Sequence, residues 1–103
     1  MFNGTITCTD VTATTSDIRT KHDIVTIDSA LEKVMNMRGV YYSRNEDNQR
    51  RIGVIAQEIE SVLPEVVFTD NSDEKNKSVS YGNIVGLLIE AIKEQQESIK
   101  KLM

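Results

Sequence analysis

The most regular hydrophobic pattern lies at the C-terminal end. Val85, Leu88, Ile92, Gln95, Ile99 and Leu102 are separated by 3, 4, 3, 4 and 3 positions. That is the a/d spacing of a coiled-coil seam, with Val85, Ile92 and Ile99 at a. Gln95 puts a polar group at a d position, which costs stability but can fix register and partner number. Ile84, Leu87 and Ala91 widen the apolar stripe at its N-terminal end. The pattern predicts one long helix that packs on its own domain there and on sister helices further along. An amphipathic helix lying wholly on its own domain would show a similar stripe; the continuation to Leu102, beyond any local partner, favours association.

Upstream the periods are shorter. Leu31, Val34 and Met35 recur at helical spacing behind Ser29-Ala30-Leu31-Glu32, a capping box in which Ser29 and Glu32 can satisfy each other's backbone donors. The expected helix covers residues 29 to 38, with Gly39 as its left-handed terminator. Val40 to Arg44 and Arg51 to Ala56 read as strands around a polar turn, and Gly53 suggests the close approach of another backbone. Gln57 to Leu63 reads as a short helix presenting Ile59, Val62 and Leu63, stopped by Pro64. Glu65 to Thr69 reads as a strand, Asp70 to Lys77 as a solvated loop, and Ser78 to Ser80 as extended chain. Residues 16 to 27 read as an irregular loop followed by an extended segment with Ile24, Val25 and Ile27. Residues 2 to 15 differ from the rest: Thr-rich, with Ile6, Cys8 and Val11, they fit short strands and a turn at Asn3-Gly4. The expected class is α+β, with a small antiparallel sheet, two short helices and a long C-terminal helix. Two units are expected: 1–15, a β stub, and 16–103, the domain.

Composition narrows the chemistry. With 103 residues the chain fits one small domain with little margin for an independent core, so oligomerisation is expected. Charged residues make up 27%, and no apolar run approaches the roughly 20 residues of a membrane span. The start lacks the basic flank and apolar stretch of a signal peptide. The net charge is -4 and Lys and Arg form no stripe, so neither nucleic acid nor membrane is an expected partner. Cys8 is alone, and His22 has no second ligand near it in sequence, so neither a disulfide nor a metal is expected. Asp70, Ser72 and Glu74 imitate a calcium loop, but Lys75 stands where that loop needs Gly and Tyr81 where it needs Glu. No cofactor is implied.

Ser16 and Lys21 are the candidate catalytic pair. A serine hydroxyl is a weak nucleophile until a base takes its proton. A lysine can be that base when burial or nearby positive charge leaves its amine neutral. Arg19 and His22 are close enough in sequence to supply charge. Spacing alone is weak support, since Ser and Lys five apart recur by chance.

Four ordered segments supply more. Ser16-Asp17-Ile18-Arg19-Thr20-Lys21 resembles the S-D-x-R-x-K signature of the endosialidase-type intramolecular chaperone auto-processing domain. Residues 27 to 39 resemble that family's first helix, IGVIAQEIESVLPEV (residues 52 to 66) its central motif, and residues 80 to 94 its final helix. Family members end phage tail spikes and tail fibres, and a related domain lies within the myelin regulatory factor proteins. The resemblance implies a homotrimer, with the last helices in a coiled coil, that templates the folding of a preceding β-helical fibre shaft. It also implies single-turnover autoproteolysis by a Ser-Lys dyad. Ser16 is then the nucleophile and Lys21 the general base. Asp17 and Arg19 would shape the loop or bias the lysine. The scissile bond would be Thr15–Ser16, or alternatively the bond just after Ser16. The expected setting is a virion tail fibre or spike precursor folded in the host cytoplasm, the chaperone fragment leaving after cleavage. Ser16 and Lys21 are expected to meet only when all copies of the trimer have docked. A non-cleaving trimerisation module of a fibre is the alternative.

Overall fold

The computed structural model describes residues 13–103. The strands and turn expected in the Thr-rich segment, and Cys8, lie outside the described residues. From residue 13 the chain carries no regular element up to a single 3-10 turn, Ile18–Thr20, and none again until the first helix. The elements that follow are α1 (Ala30–Met35), β1 (Val40–Ser43), β2 (Arg50–Gly53), α2 (Ala56–Glu60), a second 3-10 turn (Pro64–Val66), β3 (Val67–Thr69), β4 (Lys77–Val79) and α3 (Tyr81–Lys101).

The strands do not join into the one small sheet expected. They form two separate antiparallel hairpins, β1 with β2 and β3 with β4. In the first, Val40 pairs with Gly53 and Ser43 with Arg50; in the second, Val67 pairs with Val79 and Thr69 with Lys77. Asp47 closes the first turn. Its carboxylate accepts from the Gln49 backbone N–H at 3.0 Å and from both terminal nitrogens of Arg51 at 3.0 and 2.7 Å. The Arg51 hydrogen bonds, then that of Gln49, pull its pKa down to about 2. In the second hairpin, Asp70 accepts from the backbone and hydroxyl of Ser72, so the loop that imitates a calcium site is closed by its own local hydrogen bonds. Pro64 stops nothing: α2 ends at Glu60, and Pro64 opens the next turn. There its fixed φ suits a first position whose N–H has no partner in any case.

Burial is concentrated where α1 crosses α3. Ala30, Leu87 and Ala91 are buried, with Ile27, Leu31, Val34, Met37 and Leu63 packed around them. Ala30 and Ala91 carry only methyl groups, which lets the two helices approach closely around Leu87. Ile59 and Val66 are the other buried apolar residues. Leu87 and Ala91 are thus the face of α3 turned to its own domain. Val85, Leu88, Ile89, Ile92, Ile99 and Leu102 are exposed. Leu88 also borders an apolar cleft of about 340 Å³ shared with Val34, Met37, Ile59 and Ile84.

Three local expectations are corrected. Ser29 does not cap α1: it adopts a left-handed conformation with φ 49° and makes no capping hydrogen bond. The carboxylate of Glu94, reaching across from α3, accepts from the backbone N–H groups of Ala30 and Leu31, both at 2.9 Å. A charged acceptor meets two of the helix's free donors, and the helix dipole adds to the attraction. Gly39 is not in a left-handed conformation; α1 ends at Met35, well before it. Gly53 is approached by side chains, not by backbone. A Cβ there would stand 2.6 Å from the Tyr81 hydroxyl oxygen and 3.1 Å from Tyr42 Cε1. That hydroxyl accepts from the Val54 backbone N–H at 3.2 Å, tying the first hairpin to the start of α3.

The Glu94 cap has a measurable pH signature. Hydrogen bonds from Leu31 and Ala30 lower its pKa below the ordinary 4.5. A carboxyl depressed by folding stabilises the fold above its unfolded pKa, and that stability is lost as pH falls through the folded value. In Glu94→Gln, an amide NH2 would face one of the two backbone N–H groups. Thermal melts should show the variant lower by about 5 °C near neutral pH. The gap to wild type should narrow as the pH is taken below the ordinary carboxyl value and on through the folded one. A constant gap across that range would mean that the charge of Glu94 does not matter.

Candidate active site

The candidate pair meets within a single chain. Asp17 has extended backbone angles, φ -72° and ψ 133°, and stands at the N-cap of the Ile18–Thr20 turn. Its carboxylate accepts from the Arg19 backbone N–H at 2.8 Å, the local bond that makes Asp a favoured cap. The Thr20 hydroxyl and backbone N–H both donate to the Asp17 carbonyl, at 2.7 and 3.0 Å. The Lys21 N–H donates to the Ile18 carbonyl at 3.2 Å. One tight turn therefore lies between residues 16 and 21, and it brings their side chains together. Lys21 Nζ stands 2.6 Å from Ser16 Oγ. The expectation that these groups meet only in the assembled trimer is corrected: a local turn suffices for contact.

Arg19 and His22 do not turn toward the lysine. The Arg19 guanidinium lies along the Asp17 carboxylate, with Nη2 at 2.7 Å from Oδ2 and Nε at 3.0 Å from Oδ1. The carboxyl of Asp17 is held below its ordinary pKa, first by the Arg19 side chain and then by the Arg19 backbone, and the guanidinium is correspondingly raised. His22 faces Asp23, with Nε2 3.8 Å from the carboxylate. Thr15, the residue before the candidate nucleophile, is exposed, as are Ser16 and Lys21.

The turn stands off from the core: none of its residues is buried. Three apolar side chains near the pair in sequence are exposed. Ile18 is 73% exposed, Ile24 64% and Val25 84%. Sequence places Ile24 and Val25 only in an extended segment, and gives Ile18, Thr20 and Glu94 no role of their own. An Asp two residues before an Arg was the available signal for the turn. The expected seam positions Val85, Leu88, Ile92, Gln95 and Ile99 on α3, and Leu102 at its C-cap, lie apart from Ser16 and Lys21 in the chain and are all exposed. Among the described residues no group of His, Cys, Asp and Glu could hold a metal, and no helix is long and apolar enough to cross a membrane.

Known proteins resemble this chain in sequence and in fold. The sequence model described as chaperone of endosialidase, which also bears a peptidase name, matches residues 16–68, beginning at the dyad serine. The long tail fiber protein Gp37 of Escherichia phage AR1 is 37% identical over 87 residues, covering 77% of this chain and 8% of that protein. Gp37 of Salmonella phage S16 is 32% identical over 108 residues, covering 96% and 14% respectively. Gp37 of Enterobacteria phage Ox2 is 37% identical over 82 residues, covering 71% and 32%. The chain thus spans less than a third of the length of these curated relatives. A solved structure described as a novel intramolecular chaperon shares the fold, with a TM-score of 0.61 at 20% identity over 81% of this chain and 99% of that one. With more than half of its residues matched, the dyad turn included, this chain belongs to the chaperone of endosialidase family.

Proposed function

We propose that this domain is an intramolecular chaperone of a tail fibre or tail spike that assembles as a homotrimer, templates the end of the preceding shaft, and then releases itself by cutting its own chain at Thr15–Ser16. The observation that carries this reading is the 2.6 Å contact between Lys21 Nζ and Ser16 Oγ, at the point where the family match begins. Residues 1–15 are then the end of the shaft and 16–103 the chaperone.

The step needs a neutral amine, which burial favours. Lys21 Nζ takes the proton from Ser16 Oγ, and Oγ bonds to the carbonyl carbon of Thr15. The tetrahedral intermediate collapses with rupture of the Thr15–Ser16 C–N bond, and the lysine returns its proton to the departing Ser16 amine. The Thr15 acyl group is left as an ester on Oγ, which water hydrolyses. Attack on the adjacent carbonyl is intramolecular, a proximity effect worth on the order of 7 to 11 kcal/mol in well-oriented cases.

Assembly supplies what the single chain lacks. Both dyad side chains are open to water here, and burial is the ordinary means of freeing a lysine from its proton. The exposed Ile18, Ile24 and Val25 give a second copy an apolar surface to cover. The exposed a/d stripe of α3 gives the copies a seam, and closing three helices on it would place Gln95 near the axis as a register mark. Fibre shafts built of interwound strands have non-local contacts and fold slowly. A trimerising end raises effective concentration and fixes register, and cleavage makes the product kinetically trapped.

The same exposure of the dyad favours a second reading, a trimerisation module that does not cleave. Intact-mass spectrometry of wild type beside Ser16→Ala, each fused to its shaft, separates the two. Cleavage predicts two wild-type products divided before Ser16 and one undivided Ser16→Ala chain, with trimers in both. An undivided wild-type trimer selects the second reading, and a monomer at all concentrations removes both.

A further inference from the structure

We propose that Asp17 and Arg19 form a positioning clamp that sets the reach of Lys21 onto Ser16, with Arg19 acting through the shape of its guanidinium and not through its charge. The inference rests on the dyad reading above and adds a role for residues that touch neither reacting atom. Asp17 is held from three sides: by the Arg19 backbone N–H at 2.8 Å, by Arg19 Nε at 3.0 Å and by Nη2 at 2.7 Å. Thr20 then ties its hydroxyl to the Asp17 carbonyl at 2.7 Å. These bonds fix the backbone between the two dyad residues, and Lys21 leaves the turn in an extended conformation, φ -126° and ψ 155°. The lysine side chain has four rotatable bonds, so where its root is anchored decides how often Nζ meets Oγ.

The pairing also argues against an electrostatic role. A cation meant to bias the lysine should aim at it. The Arg19 guanidinium aims its planar fork at a carboxylate, so the pair presents little net charge to its neighbours. The fork is what lysine lacks: an ammonium makes a point contact and cannot hold both carboxylate oxygens in a plane. The clamp is largely in water, so its value lies in geometry more than in stability.

Rate, pH profile and a spectroscopic contact test this together, in the shaft-fused chain. Arg19→Ala and Arg19→Lys should both slow cleavage by about 100-fold, the order expected from a misplacement near 1 Å. Their pH midpoints of cleavage, melting temperatures and trimer state should stay those of wild type. Asp17→Ala should match them, and the Asp17→Ala/Arg19→Ala double variant should be no slower than either single change, because the two act as one unit. A wild-type rate in Arg19→Lys, or a displaced midpoint in Arg19→Ala, would overturn the proposal and assign Arg19 a charge effect. If the wild-type chain does not cleave, the function reading fails first, and the clamp is decided by NMR. Nuclear Overhauser contacts between the Lys21 ε-methylene and the Ser16 β-methylene should be present in wild type and lost in Arg19→Ala. Their survival in that variant would sink the clamp.

Discussion

Lys21→Met should leave the shaft-fused chain undivided while wild type separates at Thr15–Ser16, with the cleavage rate reduced by at least about 10³-fold. Methionine keeps much of the length and apolar body of lysine but has no amine to accept a proton. The turn that carries residue 21 is held by the hydrogen bonds of Asp17, Arg19 and Thr20, none of which uses the lysine side chain. The variant should therefore fold, trimerise and melt like wild type, and differ only in the loss of the base 2.6 Å from Ser16 Oγ. The wild-type rate should rise with pH as a general base requires, and the residual rate in Lys21→Met should lose that rise. Time-resolved intact-mass measurement across pH reads both effects. Cleavage by Lys21→Met within tenfold of wild type would remove the lysine as the base and leave Ser16 to be activated by something else.

How much of this was readable in the sequence depends on how local each feature is. The α3 stripe from Val85 to Leu102 was legible because helical period and exposure repeat along one element. The first hairpin was legible from local composition: Val40 to Arg44 and Arg51 to Ala56 read as strands around a polar turn, although the second strand ends at Gly53 and Ala56 already opens α2. What the strands do next was not, because whether two hairpins share a sheet depends on residues far apart in the chain. The helix cap shows the difference most sharply. Ser29 and Glu32 match a local capping rule, yet Glu94, 64 residues beyond Ala30, takes the position with a full negative charge. A pattern confined to four residues cannot register that competitor. Pro64 was read as a stop when its fixed φ suits a start equally well.

The contact between Ser16 and Lys21 was not legible as geometry, although both residues stand in a segment that resembles a family signature. It was assigned to assembly, since two side chains five apart have no obligatory meeting in an extended loop. Asp17 changes this by capping a one-turn helix between them, a local effect whose only sequence signal is an acidic residue ahead of three residues able to turn. What assembly would add is cover rather than contact. Ile18, Ile24 and Val25, in the turn and just after it in sequence, are exposed and lie outside the core cluster, which leaves apolar surface for another copy to cover.

The two faces of α3 should separate under mutation. Ile92 is 65% exposed in the single chain and occupies an a position of the stripe. Ile92→Glu should leave the monomer's helix content and melting cooperativity unchanged. At a threefold seam the same change replaces mutually buried isoleucines, each worth about 1.5–3 kcal/mol, by carboxylates facing one another. The association constant should fall by at least about three powers of ten. Sedimentation should then show monomer at concentrations where wild type is trimeric, and cleavage should fall with it, although Ser16 and Lys21 are untouched. Leu87 lies on the other face, fully buried against Ala30 and Ala91. Leu87→Ala removes side-chain volume from a core with few buried residues and should cost about 2–5 kcal/mol, enough to unfold a large fraction of so small a domain. If Ile92→Glu remains trimeric, the stripe is not the seam. If it cleaves at the wild-type rate as a monomer, the covering copy is unnecessary and the exposed dyad acts alone.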